Sequence, residues 1–145
     1  MSLRWRSVLA FALMVVGLAW LAQRHEVFAR SLPAQVIQAC AVALMVAARV
    51  TFGRRSFHAA ANPTDGGLVT TGPYHWVRHP IYASILYFAW STAIDHRSPE
   101  AFAAAALISI GAGVRMYAEE TLLIGRYPEY AAYSARTPRV IPFVF

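Results

Sequence analysis

The sequence predicts an all-α fold, a polytopic membrane helical bundle of about four transmembrane helices followed by a C-terminal interfacial helix. Three observations carry this reading. The chain of 145 residues is 58% hydrophobic and only 14% charged, whereas average soluble chains carry roughly 25% charged residues. Its apolar residues fall in long uncharged runs. Its arginines are distributed unevenly between the two sides those runs define.

Residues 7–23, SVLAFALMVVGLAWLAQ, hold no charge, and neither do residues 31–48, SLPAQVIQACAVALMVAA. Each reaches the ~17–25 residues that a spanning helix needs. Residues 80–94, PIYASILYFAWSTAI, and 101–114, AFAAAALISIGAGV, are shorter, and snorkelling or aromatic ends extend such runs. The expected helices are about 7–23, 33–50, 80–95 and 100–118. A cytoplasmic helix over about 119–136 completes a single integral membrane domain, 1–145. Arg4 and Arg6 before the first run also fit a cleaved signal peptide, but no soluble domain follows, so an anchor is the better reading. With the N-terminus inside, ten arginines fall on the inner side and only Arg24, Arg30 and Arg97 outside, as the positive-inside rule requires. Both termini, the loop 51–79 and the tail 116–145 then share one side.

Composition also removes chemistries. All thirteen basic side chains are arginine, which excludes a lysine Schiff base, pyridoxal phosphate chemistry and a Walker-type phosphate lysine. One cysteine, Cys40, excludes an internal disulfide and cysteine-rich zinc sites, and its apolar run makes it a packing residue. The net charge of +6 comes from scattered arginines rather than a basic stripe, so no nucleic-acid partner is expected. IGAGVR (110–115) lacks the strand of a nucleotide loop, and its small residues suit close helix packing.

Two polar islands remain. ANPTDGG (61–67) is a turn cluster, and GPYHWVRHPIY (72–82) follows it. Pro80 pushes His79 out of helical space and suits the first helical position. Arg78 and His79 therefore precede a helix N-terminus, where unpaired N–H groups and a guanidinium make an anion site. The plainer alternative is an interfacial arginine reaching lipid phosphates. His75 and His79 are four apart, but Pro80 breaks the helix that a metal pair would need, so no metal is expected. In the second island, Glu119 and Glu120 are adjacent and point about 100° apart, so they take different partners. Arg115, four residues before Glu119, can pair with it along the helix. Tyr127, Tyr130 and Tyr133 recur every three residues and read as interfacial anchors.

The ordered set GPYHWVRHPIY, EE and RYPEYAAYSARTPRVIPF resembles the isoprenylcysteine carboxyl methyltransferase and phospholipid methyltransferase group of integral membrane enzymes. The similarity covers about residues 50–145. It implies S-adenosylmethionine as cofactor and methyl transfer to a lipophilic, membrane-partitioned acceptor on the cytoplasmic side. It implies cofactor contacts from Tyr74, Trp76, Val77, Arg78, His79, Pro80, Tyr82, Glu119 and Glu120. Arg136, matching an arginine near the reacting site of the carboxyl methyltransferases, and Glu119 are the expected catalytic residues. The short chain departs from the eukaryotic enzymes, and nothing in it selects a prenylcysteine acceptor. The expected location is the inner or plasma membrane of a prokaryote, with membrane lipids as partners. Two alternatives stand beside this reading: a membrane reductase of sterol-reductase-like type using a nicotinamide cofactor, and a non-enzymatic lipid-binding subunit.

Overall fold

The computed structural model describes residues 2–53 and 67–144, so Arg54, Arg55 and most of the 61–67 turn cluster lie outside the described residues. Six helices follow in order: α1 (Leu3–Gln23), α2 (Leu32–Phe52), α3 (Pro73–Trp76), α4 (Pro80–His96), α5 (Pro99–Arg126) and α6 (Tyr130–Arg136). Among the described residues there is no strand. Helices α1, α2 and α5 are long and apolar enough to cross a membrane. α4 is 17 residues long.

Local sequence explains the boundaries. Pro80 opens α4, and His79 sits outside helical space at φ −126° and ψ 60°, as a residue before proline must. Ser98 caps α5 by accepting from the Ala101 N–H at 3.0 Å, with Pro99 at the first position. α5 then runs unbroken to Arg126. The expected stop near 118 is therefore wrong: residues 119–126 contain no proline, Gly125 falls only in the last turn, and the glutamate pair belongs to this same helix. Pro128 holds Tyr127 in extended backbone, which ends the helix and leaves only the short α6 where a helix over 119–136 was expected. At 1.5 Å per residue, Glu119 lies about 30 Å along the axis from Pro99, the thickness of a hydrocarbon core.

The helices do not pack in chain order. α1 lies against α5, α5 against α4, and α4 against α2. α1 buries Ser7, Ala10, Met14, Gly17 and Leu21, alternating steps of three and four that form one narrow seam. α5 answers with Ala101, Ala104, Ala105, Ile108, Gly111 and Ala112. Small residues let the two backbones approach, which is how helices associate where lipid offers no hydrophobic drive. At Gly111 a Cβ would stand 2.5 Å from the Ala10 carbonyl oxygen and 2.6 Å from Met14 Cγ. We expect Gly111→Val to cost about 2–3 kcal/mol by overpacking, measured as a lower midpoint of denaturation in detergent. Gly113, with nothing near its Cβ position, is the control. The outer faces of these helices carry exposed Leu9, Phe11, Val42, Val46, Ile110 and Val114, the surface that lipid covers. Cys40 lies exposed on α2, not in the core where its apolar run suggested.

The far end of the bundle is tied by polar contacts. Asp95 at the end of α4 accepts from the Arg30 and Ser31 N–H groups at the start of α2. Gln38 is buried and donates to Thr92 Oγ1 at 2.7 Å and to the Val27 carbonyl at 3.0 Å. These bonds satisfy groups that are costly to leave unpaired in a low-dielectric setting.

Candidate active site

The opposite end assembles the two polar islands. Gly72 at φ +57° turns the chain into α3, and a Cβ there would meet Thr51 Oγ1 of α2 at 2.8 Å. α3 is a single turn that carries Tyr74 inward and Trp76 outward, the latter 57% exposed. Val77 then breaks into extended backbone. Arg78 and His79 run alongside the tail: the Arg78 N–H donates to the Pro138 carbonyl at 2.8 Å and the His79 N–H to the Arg139 carbonyl at 2.9 Å. Those two N–H groups are therefore taken by the tail, which lies against the segment just before α4.

The adjacent glutamates split as their 100° separation requires. Glu120 turns toward the tail. It accepts from Arg139 Nε at 3.1 Å and Nη2 at 3.0 Å in a fork, and lies 3.4 Å from Arg78 Nη1. Glu119 turns the other way. It accepts from the Tyr82 hydroxyl and from Arg115 Nη2, the latter at 3.4 Å. The Arg115 pairing is the four-residue pairing expected from sequence. His79 stands between the two acids, with Nε2 3.0 Å from Glu120 and Nδ1 3.9 Å from Glu119.

Arg115 binds this cluster to the rest of the bundle. It is buried, donates from Nε to the Tyr82 hydroxyl at 2.8 Å and from Nη1 to the Ser7 carbonyl of α1 at 3.3 Å. Its guanidinium also lies over the Phe11 ring at 5.3 Å. A charge so far inside is tolerable only with partners of this kind.

Above Glu120 opens a cavity of about 740 Å³, within the roughly 300–1,000 Å³ typical of small-molecule sites. Trp76, Arg78, Arg136 and Arg139 line it with His75 and Phe143, and none of its lining residues is acidic. Arg78 Nε and the Tyr130 hydroxyl are buried and reach no partner at hydrogen-bonding geometry. Burial first, then the nearby Glu120, pushes the Tyr130 hydroxyl up to about 12, so it remains a neutral donor. The Tyr133 hydroxyl donates to the Tyr74 carbonyl at 2.5 Å. Tyr130 and Tyr133 are both buried, which corrects their reading as interfacial anchors: Tyr133 ties the tail to α3, and the Tyr130 ring lies against the Tyr133 ring at 6.0 Å.

Of the residues named from sequence, Trp76, Arg78 and Arg136 face the cavity. His79, Tyr82, Glu119 and Glu120 form the charged cluster behind it. Tyr74, Val77 and Pro80 are buried supports. Arg139 was missed, because its sequence setting, one arginine after Arg-Thr-Pro, gives no hint of a partner nineteen residues earlier.

Long apolar helices closing over a buried carboxylate–guanidinium cluster define an integral membrane protein with a polar chamber at one end of its bundle. The chain belongs to the isoprenylcysteine carboxyl methyltransferase (ICMT) family, whose model matches residues 31–125, and it is on that ground a membrane methyltransferase. The matched segment holds the Arg-His-Pro-x-Tyr run and both glutamates but stops before Arg136 and Arg139. No curated protein matches the chain, and no solved structure does.

Proposed function

We propose that the protein transfers a methyl group from S-adenosylmethionine to a lipophilic acceptor, at the cytoplasmic end of the bundle. Membership in a methyltransferase family carries the reaction class. The basic, aromatic cavity at the membrane exit supports the cofactor and the place. The cofactor has a carboxylate, ribose hydroxyls and an adenine ring. Arg78 suits the cofactor carboxylate, and Arg136, on the same wall, suits the acceptor's negative charge. Trp76 offers an exposed ring for adenine, and Thr137 and Ser134 offer hydroxyls at the cavity wall. The cofactor supplies an electrophilic methyl group, and the protein's task is to align it with the acceptor's nucleophile and exclude water. The buried Glu120 pairs with Arg78 and Arg139 of the cavity wall. α4 serves as a fourth crossing segment, its 17 residues spanning about 26 Å. The arginine distribution favours a chamber on the cytoplasmic side, with the acceptor's apolar tail among the helices.

Titration of the purified protein with S-adenosylhomocysteine and, separately, with a nicotinamide dinucleotide tests the reading by calorimetry. Saturable heat with the first alone is expected, and saturation with the second alone sinks the proposal. Arg136→Ala is expected to slow methyl transfer to a lipid extract about 100-fold while changing cofactor affinity less than about threefold, the pattern of an interaction made in the transition state. Unchanged turnover removes Arg136 from the reacting centre.

A further inference from the structure

We infer that Arg139 is a positioning residue of the site, setting the Glu120 carboxylate and latching the Arg78–His79 segment through the tail that carries it. Three observations converge on this one residue. Its guanidinium forks onto both oxygens of Glu120, with Nε 3.1 Å from Oε1 and Nη2 3.0 Å from Oε2. Its own carbonyl accepts from the His79 N–H at 2.9 Å, and the preceding Pro138 carbonyl accepts from the Arg78 N–H at 2.8 Å. Its side chain also lines the open cavity.

A forked guanidinium fixes a carboxylate in plane and in rotation, which a point charge does not. Glu120 is therefore held in one orientation, with its Oε1 shared among Arg139, His79 and Arg78. The two backbone bonds do the rest. Arg78 and His79 belong to neither helix, since α3 ends at Trp76 and α4 begins at Pro80. Their placement depends on what their N–H groups bond, and that is the tail. One salt bridge thus pins the tail to α5, and the tail pins the segment between α3 and α4. The fork, and then the Glu120 charge, raise the Arg139 guanidinium above its ordinary range. On the neighbouring side, the Tyr87 hydroxyl donates to the Val140 carbonyl at 2.5 Å, so α4 grips the tail immediately after Arg139.

The inference rests on the proposed cofactor cavity for its binding consequence but not for its latch. Both are read in one experiment on the full chain in detergent. Amide exchange followed by NMR reports the latch, and S-adenosylhomocysteine calorimetry reports the cavity. In R139Q, exchange at the Arg78 and His79 amides is expected to accelerate at least about tenfold, the scale of one lost charge-assisted bond. The Ala83 amide, bonded to the His79 carbonyl inside α4 at 2.9 Å, stays as slow as in the wild type. Affinity for S-adenosylhomocysteine falls about tenfold or more. R139K, which keeps the charge without the fork, lies between the two. Unchanged exchange at both amides with wild-type affinity overturns the inference, and so does acceleration at Ala83 of equal size, which reports general loosening. Should R139Q not be recovered folded, R139K alone decides by the same two readings. A wild-type protein that gives no heat with S-adenosylhomocysteine ends the methyl-transfer reading, while the exchange pattern still decides the latch.

Discussion

Glu120→Ala is expected to lower affinity for S-adenosylhomocysteine about 100-fold and to destabilise the fold by about 3 kcal/mol. The side chain of Glu120 is only 10% exposed, and three basic groups converge on it: His79 at 3.0 Å, Arg78 at 3.4 Å and Arg139 at 3.0 Å. Deleting the carboxylate leaves these groups facing one another with nothing between them. Removing one partner of a buried ion pair costs about 3–5 kcal/mol, and the partial exposure of Arg139 places the expected loss at the lower end. The binding loss follows because Arg78 and Arg139 line the cavity and owe their positions to this carboxylate. Calorimetry and denaturation in detergent measure the two effects. Glu120→Gln keeps the shape without the charge and is expected to lose most of the affinity with a smaller stability loss. Wild-type affinity in Glu120→Ala would falsify the placement of the cavity over this cluster.

Arg115→Leu is the second large effect, a loss of about 3–4 kcal/mol. Arg115 joins α1, α4 and α5 through the Ser7 carbonyl, the Tyr82 hydroxyl and Glu119. Leucine fills part of the volume but strands Glu119 without its countercharge near the hydrocarbon edge, where an uncompensated ion is expensive. Arg115→Lys is expected to recover less than half, because an ammonium cannot reach three acceptors set around a planar fork. The double variant Arg115→Leu with Glu119→Leu removes both charges together and should be more stable than Arg115→Leu alone. If Arg115→Leu matches the wild type in a denaturant titration, Arg115 and Glu119 are solvated rather than structurally coupled.

Much of the architecture was legible along the chain because the physics involved is local or one-dimensional. Uncharged runs of membrane length and a proline that begins α4 each act within a few residues. The split of Glu119 from Glu120 and the pairing of Arg115 with Glu119 follow from helical geometry alone. The length of α5 was misread for a related reason. A change from apolar to polar residues near 118 marks the membrane edge, not the end of a helix, and backbone hydrogen bonding continues across it to Arg126.

What lay beyond such local rules is the lateral order α1–α5–α4–α2 and the return of the tail. Helices with apolar residues on every side carry little directional pattern, so pairing is settled by where small residues permit contact, as at Gly111 against Ala10. The three tyrosines illustrate the same gap. Their spacing was plain, but that Tyr130 and Tyr133 met protein rather than lipid depended on where the tail folded back, with Tyr133 bonded to the Tyr74 carbonyl. Arg139 shows it most clearly: its fork to Glu120 joins a tail to a helix, and its backbone bond joins that tail to His79, sixty residues earlier in the chain. The amino-acid sequence set which residues are charged, where helices begin and which groups need partners near a membrane. The folded bundle chose the partners, because burial makes every such group take the nearest countercharge that packing brings within reach.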